Sequence, residues 1–329
     1  MSQVLILNHA EVTGMLPMAE CIRLMREAFT ALGSGQAFQP LRSAVRPPGV
    51  AGVLGMMPAY LASPRPALGM KTLAVFHGNR AVGLDSHQGA VLLYSAENGE
   101  LQAILSASAI TAIRTAAASG LATELLARTN ANSLALIGTG IEGRTHLEAM
   151  ACARTLGSCR VASRLFANAQ NFAAEFSGRY GFPVTAVETV EAALEGADLI
   201  ATTTNAKQPI VERDWIAPGA HLNVVGSSIP TTREVDGETL AASSLFVDRR
   251  ESTLNEAGDF LLAQAEGLVG PDHIQAELGE ILLGTHPGRT STDEITLFKS
   301  LGLGIEDVAC AAYLYDKAKD ARNGTWVDF

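Results

Sequence analysis

Cysteine is scarce, with four residues, Cys21, Cys152, Cys159 and Cys310, in a chain of 329. None stands at the paired spacing of a metal-ligand set, and no apolar leader precedes them. They read as reduced residues of a cytoplasmic protein, buried as small hydrophobes rather than used as metal ligands or nucleophiles. Uninterrupted apolar runs are short, none approaching the roughly 20 residues that a membrane-spanning helix requires. Positive charge is outweighed, 24 Lys and Arg against 34 Asp and Glu, for a formal net charge of -10. Nucleic acids and anionic membranes need a clustered positive surface, so neither fits as the principal partner. No repeat recurs at a fixed period and no tract is of low complexity. What remains is a soluble protein whose partner is a small molecule. Hydrophobic residues make up 47% and charged residues 18%, a globular composition with apolar area for a core and for contacts between subunits. The length exceeds that of a single core and predicts two domains.

Helical spacing of Ile22, Met25, Ala28, Phe29 and Leu32 predicts a helix over 18–32, ended by Gly33, Ser34 and Gly35. Pro47, Pro48, Pro64 and Pro66 break the chain beyond that helix into short segments. Apolar runs at 53–57, 70–76, 89–94 and 101–105 have strand length, with turn chemistry at Glu97-Asn98-Gly99. This first lobe is predicted to be α+β with a mostly antiparallel sheet. An Ala-rich helix over 111–126 and a polar connection over 128–133 lead into a different texture. From there strands at 134–137, 159–162, 184–187, 198–201, 221–225 and 245–247 alternate with helices at 142–155, 167–180 and 190–195. That alternation marks a parallel sheet with helices on both faces. An Ala-rich apolar helix over 297–319 is expected to return to the first lobe. The resulting fold class is α/β: a Rossmann-type doubly wound parallel sheet, 119–304, inserted in a discontinuous α+β domain of 1–118 plus 305–329.

Leu134-Ala135-Leu136-Ile137 runs into Gly138-Thr139-Gly140-Ile141-Glu142-Gly143, a G-x-G-x-x-G that closes a strand and opens a helix. Gly138 permits the tight turn, Gly140 lets a pyrophosphate approach the backbone, and Gly143 lets helix and strand pack closely. Thr139 and Ile141 accompany them as cofactor contacts, and the helix N-terminus faces the anion. Alone, the pattern also suits an ordinary glycine-rich turn. Between an apolar strand and an amphipathic helix, inside repeated βα units, it points to a dinucleotide. About twenty residues on, Val161-Ala162-Ser163-Arg164 offers no acid where an NAD-specific enzyme places Asp or Glu on the ribose hydroxyls. Ser163 and Arg164 can receive a 2′-phosphate instead, which favours NADP modestly and leaves NAD open. The plainer alternative for Arg164 is a surface arginine at a strand end.

A nicotinamide fold does not name its substrate. Arg42, Lys71 and Arg114 stand inside otherwise apolar or Ala-rich runs, where cations are costly to bury unless an anion meets them. A substrate carboxylate is the expected anion, although each cation read singly is more often a surface charge or a structural ion pair.

The Met57-Pro58-Ala59-Tyr60 segment, the Lys71 run, residues 87–94, the helix start at 111–119, the glycine loop and Thr296-Leu297-Phe298-Lys299-Ser300-Leu301-Gly302 ahead of Glu306-Asp307 resemble the ornithine cyclodeaminase and mu-crystallin family. The likeness runs in order along nearly the whole chain. It implies a homodimer whose first lobe supplies the dimer sheet, with substrate held between that lobe and the nucleotide domain. It also implies that Arg42, Lys71 and Arg114 are the active-site cations, with Thr115 a cofactor-phosphate contact. Asn223-Val224-Val225-Gly226-Ser227-Ser228 resembles the loop under the nicotinamide, with Val225, Gly226 and Ser227 at the cofactor. Cyclodeaminases of the family have an aspartate where this chain has Ser228, and serine cannot hold a substrate's side-chain amine by charge. Ketimine-reducing members look like this chain there.

The expected chemistry is reduction of a small α-imino acid by NAD(P)H without a metal. The substrate carboxylate sits on Arg42 and Arg114, and Lys71 binds that carboxylate or manages the imine proton. Burial beside two arginines should bring the Lys71 pKa towards neutrality. His87 is a second candidate proton donor, set against a structural histidine. Arg46 and His77 could extend the pocket to a second carboxylate, as for iminosuccinate. Two alternatives stay open, a deaminating lyase of the cyclodeaminase type and a non-catalytic binding protein like mu-crystallin.

Overall fold

The computed structural model describes residues 3–329, apart from the side chains of His77 and Arg80. The chain divides into two compact units, Met1–Arg114 with Gly302–Phe329, and Thr115–Leu301. The sequence reading places the boundaries slightly later, at 118/119 and 304/305.

In the first unit seven strands lie side by side in the order Thr325–Asp328, Gln3–Leu7, Leu101–Ser106, His87–Tyr94, Ala67–Val75, Val53–Leu61 and Ala37–Phe38, and Ser43–Val45 also pairs with Val53–Leu61. All pairings are antiparallel except that of Gln3–Leu7 with Leu101–Ser106. Because side chains alternate along a strand, Ala59, Leu61, Ala67, Val91, Leu93, Ala103 and Leu105 are buried together. Helix Gly304–Ala321 packs on that face, with helix Met18–Gly33 against it. Gly69 permits the close approach, since a Cβ there would stand 2.9 Å from Val308 Cγ2. Met25 and Phe29 of helix Met18–Gly33 are wholly buried, each contributing about 1.5–3 kcal/mol of hydrophobic stabilisation. Residues of opposite parity, Leu54, Met56, Leu68, Met70, Leu92 and Tyr94, leave the other face apolar and only partly covered.

Helix Ala107–Leu126 carries the chain into the second unit. There eight parallel strands run in the order Val184–Ala186, Ser158–Ala162, Ser133–Ile137, Leu199–Thr202, His221–Val224, Thr296–Lys299, Ser244–Val247 and Ile274–Glu277. Leu134, Ala135, Leu136 and Ile137 are all buried, as expected for a parallel strand covered on both faces. Leu194, Ile200, Leu222, Val224, Leu245 and Phe260 belong to the core of this unit.

One element is corrected. Residues 297–319 are not one helix: Thr296–Lys299 is a strand between His221–Val224 and Ser244–Val247, and the helix begins at Gly304. A short apolar run suits a buried strand as well as a helix, and Gly302, at φ +79°, separates the two elements. Strand Ile274–Glu277 and helices Gly237–Ala242, Arg250–Glu256 and Gly258–Ala265 lie beyond the sequence expectation.

Candidate active site

Antiparallel register puts Lys71 opposite Met57 on one side and Val91 on the other, on the face that helix Gly304–Ala321 covers. The first turn of that helix supplies Glu306 and Asp307, where the helix dipole favours carboxylates. Lys71 Nζ lies 2.9 Å from Asp307 Oδ2 and 3.4 Å from Thr111 Oγ1. Arg114, three residues beyond Thr111 on the same helical face, donates from Nε to Asp307 Oδ1 at 3.2 Å and from Nη1 to Glu306 Oε2 at 3.1 Å. The other Glu306 oxygen accepts the Leu303 N–H at 2.8 Å, and Gln39 Oε1 accepts the Ile305 N–H at 3.0 Å. Gly302 leaves room for the guanidinium, since a Cβ there would stand 2.3 Å from Arg114 Nη1.

All four ionisable groups are buried. Burial of Lys71, then repulsion from Arg114, outweigh the pull of Asp307 and bring its pKa from 10.5 to about 8. The direction is the expected one, with burial and a single arginine as causes. The anions that meet Lys71 and Arg114 belong to the chain itself, which corrects the expectation that a substrate carboxylate is needed to bury them. Arg42 is half-buried and gives no such argument. It stands one residue before Ser43, which pairs with Met56, so it reaches the level of Lys71 across two strand spacings, about 10 Å.

His87 is not brought to this cluster. It pairs with Val75, four residues along the strand from the partner of Lys71, roughly 13 Å at about 3.3 Å per residue. It is exposed, with Nδ1 at 2.9 Å from Ser86 Oγ. Arg46 is exposed beyond Ser43–Val45. The His77 side chain lies outside the described residues.

In the second unit, strand Ser133–Ile137 ends at Gly138, whose φ of +115° is open to glycine, and helix Ile141–Ala153 starts at its cap, Gly140. A Cβ on Gly138 would meet Thr203 Oγ1 at 2.6 Å, and one on Gly143 would meet Gly138 O at 2.2 Å. Around Gly140 a Cβ would meet nothing within 4 Å, so the backbone there is open to an approaching anion. A 13-residue helix then opens with N–H groups that have no partner within the helix and with the positive end of its dipole. These features fit a dinucleotide pyrophosphate. Thr139 donates to Ser163 Oγ at 3.2 Å, tying the turn to the end of strand Ser158–Ala162, with Arg164 next in the chain. Thr115 is buried and follows Arg114 on helix Ala107–Leu126.

The chain after strand His221–Val224 carries Val225, Gly226 and Ser228, partly buried, and Ser227, buried. Val225 N–H donates to Thr202 O at 3.1 Å, and the Ser227 hydroxyl donates to Thr232 O. Beneath lies Glu234, a fully buried carboxylate that sequence reasoning missed. Burial pushes its carboxyl up, opposed by hydrogen bonds from Thr204 and by Lys299. Its only signal in the sequence is an acid in the segment after the loop, which no spacing rule singles out.

The fold and these two sets of residues define a Rossmann-type α/β protein with a second, α+β unit. The chain belongs to the ornithine cyclodeaminase/mu-crystallin family, whose model matches residues 2–322. Ketimine reductase mu-crystallin of Mus musculus is 38% identical over 282 residues, 86% of each chain. The structure of Thermococcus litoralis Delta(1)-pyrroline-2-carboxylate reductase in complex with NADH and L-proline matches with a TM-score of 0.95 at 37% identity, covering 98% of this chain and 100% of that one. An archaeal alanine dehydrogenase dimer with bound NAD matches with a TM-score of 0.94 at 30% identity, both chains covered in full. Among the described residues no helix is long and apolar enough to cross a membrane.

Proposed function

We propose that the protein is a nicotinamide-dependent reductase of small α-imino acids, turning a ketimine or imine into the L-amino acid and running in reverse as an amino-acid dehydrogenase. Pyrroline-2-carboxylate, iminosuccinate and iminopropionate are the substrates of that class to test. The observation that carries the reading is Lys71, a buried ammonium with a pKa near 8, held by Asp307 and adjoining a fixed guanidinium. A group so placed holds a proton at neutral pH and can release it to an imine nitrogen. Arg42 supplies positive charge for the substrate carboxylate, beside Arg114, whose own charge is met by Glu306 and Asp307. The nicotinamide coenzyme, when bound through the Gly138–Gly143 turn and Thr115, supplies the hydride that the electron-poor imine carbon takes up. Similarity to a ketimine reductase and to a pyrroline-2-carboxylate reductase supports the same reading.

Ser228, without charge, suits a substrate that needs no handle on a side-chain amine. Ser163 and Arg164 favour NADPH modestly, while the two solved relatives carry NADH and NAD. The partly covered apolar sheet face of the first unit suits a homodimer, and the alanine dehydrogenase relative is a dimer. The test is loss of reduced-nicotinamide absorbance with NADH and NADPH in turn, against pyrroline-2-carboxylate and against pyruvate, glyoxylate or oxaloacetate with ammonia. Rapid oxidation with one imine is the expected result. Release of ammonia from ornithine without net coenzyme change, with every imine inert, would replace the reading by a cyclodeaminase.

A further inference from the structure

Glu234 gathers four hydrogen bonds from the ends of two neighbouring parallel strands. Its Oε1 accepts the Thr204 N–H at 2.7 Å and the Thr204 hydroxyl at 2.6 Å, while Oε2 accepts the Thr202 hydroxyl at 2.8 Å and the Gly226 N–H at 2.6 Å. Thr202 closes strand Leu199–Thr202, and Gly226 follows its neighbour, strand His221–Val224. The packing is tight: a Cβ on Gly226 would stand 2.0 Å from Thr204 O and 2.6 Å from Glu234 Oε1. The Glu234 backbone is itself anchored. Asp259 Oδ1 accepts the N–H groups of Glu234 and Val235 at 2.7 and 3.2 Å, and Asp259 Oδ2 lies 2.8 Å from Lys299 Nζ. Lys299 ends the next strand of the sheet, Thr296–Lys299. Between Thr202 and Thr204, Thr203 packs on the glycine turn and donates to Ile137 O at 3.1 Å.

We propose that Glu234 is a positioning residue of the coenzyme site: one buried carboxylate fixes Gly226, and with it the 225–228 loop, to the strand end on which the glycine turn packs. The proposal rests on the reductase reading for the identity of the coenzyme. One of the four donors, the Gly226 N–H, belongs to the loop and three belong to the Thr202–Thr204 strand end, so the carboxylate ties the two together. These donors favour its charged form against the cost of burial, and a hydrogen bond to a charged acceptor is about twice as strong as one to a neutral acceptor.

Glu234→Gln keeps the shape but sets an NH2 group against N–H donors. The NADH dissociation constant, read from NADH fluorescence, should rise about tenfold, the lower end of what a hydrogen bond to a charged group supports. The coenzyme KM should rise with it while the imine KM moves less than about twofold, and the primary isotope effect with 4-deuterated NADH should grow. Glu234→Asp, which keeps the charge, should recover part of the loss. A purely structural residue would lower the thermal midpoint and the folded fraction while leaving the NADH dissociation constant of the folded protein unchanged. If Glu234→Gln does not fold, Thr202→Val and Thr204→Val each remove a hydroxyl donor and should each raise that constant about threefold. Coenzyme binding by the wild type that is unaltered in every folded variant overturns the proposal alone. A wild-type chain that binds neither NADH nor NADPH overturns the reductase reading and this proposal with it.

Discussion

Lys71 carries its proton into a buried setting that disfavours it, which gives activity and stability opposite pH dependences. In its proposed role of proton donor it works only while charged, so kcat/KM for imine reduction should fall as pH rises through about 8. Stability runs the other way. Between about 8 and the ordinary 10.5 the unfolded chain binds more protons at this residue than the folded one, so its contribution to stability rises with pH across that window. Below it Lys71 is charged in both states and the cost of burial is fully present. Asp307→Asn removes the counter-charge, so the falling limb of the rate profile should move to lower pH. Denaturant unfolding should show a loss of about 3–5 kcal/mol, typical of a buried pair broken from one side. Lys71 and Arg114 are legible in the sequence because cations stand out in apolar runs. Their carboxylate partners are not, because Glu306 and Asp307 lie 192 and 193 residues from Arg114, and local spacing carries no information about pairings that only the sheet and helix create.

Among the elements, the glycine turn is the most readable, since strand, turn and helix each leave a local pattern. Its glycines are not equivalent. At Gly140 the backbone has φ -76° and a Cβ would meet nothing within 4 Å. Gly140→Ala should therefore leave the unfolding midpoint nearly unchanged while raising the coenzyme KM, because in the proposed site the added methyl stands where the pyrophosphate comes close. Gly143→Ala drives a Cβ to 2.2 Å from Gly138 O, so thermal unfolding and coenzyme binding should both suffer. Strand Thr296–Lys299 reads as helix in the sequence because Leu297 and Phe298, buried on both faces of a parallel sheet, show no alternation. Helices Arg250–Glu256 and Gly258–Ala265 are short, and their role in holding Asp259 beneath Glu234 is visible only once the chain is folded.

For the whole molecule, subunit association is the measurable quantity. Leu54 and Leu68, 42% and 40% exposed, stand on the partly covered face of the first unit's sheet. Sedimentation of the wild type should give twice the mass of the chain, and Leu54→Lys with Leu68→Lys should give a monomer with an unchanged far-ultraviolet spectrum. The first unit also closes only with residues from both ends of the chain, Met1–Arg114 and Gly302–Phe329. During synthesis the first unit therefore cannot be completed before the second. Residues 115–301 are made before helix Gly304–Ala321, and until that helix is in place Lys71 and Arg114 lack their carboxylate partners and the sheet lacks its main cover. A message cut short after residue 301 would yield a nucleotide unit joined to an unfinished lobe with an exposed apolar face, a species for chaperones and proteases to remove.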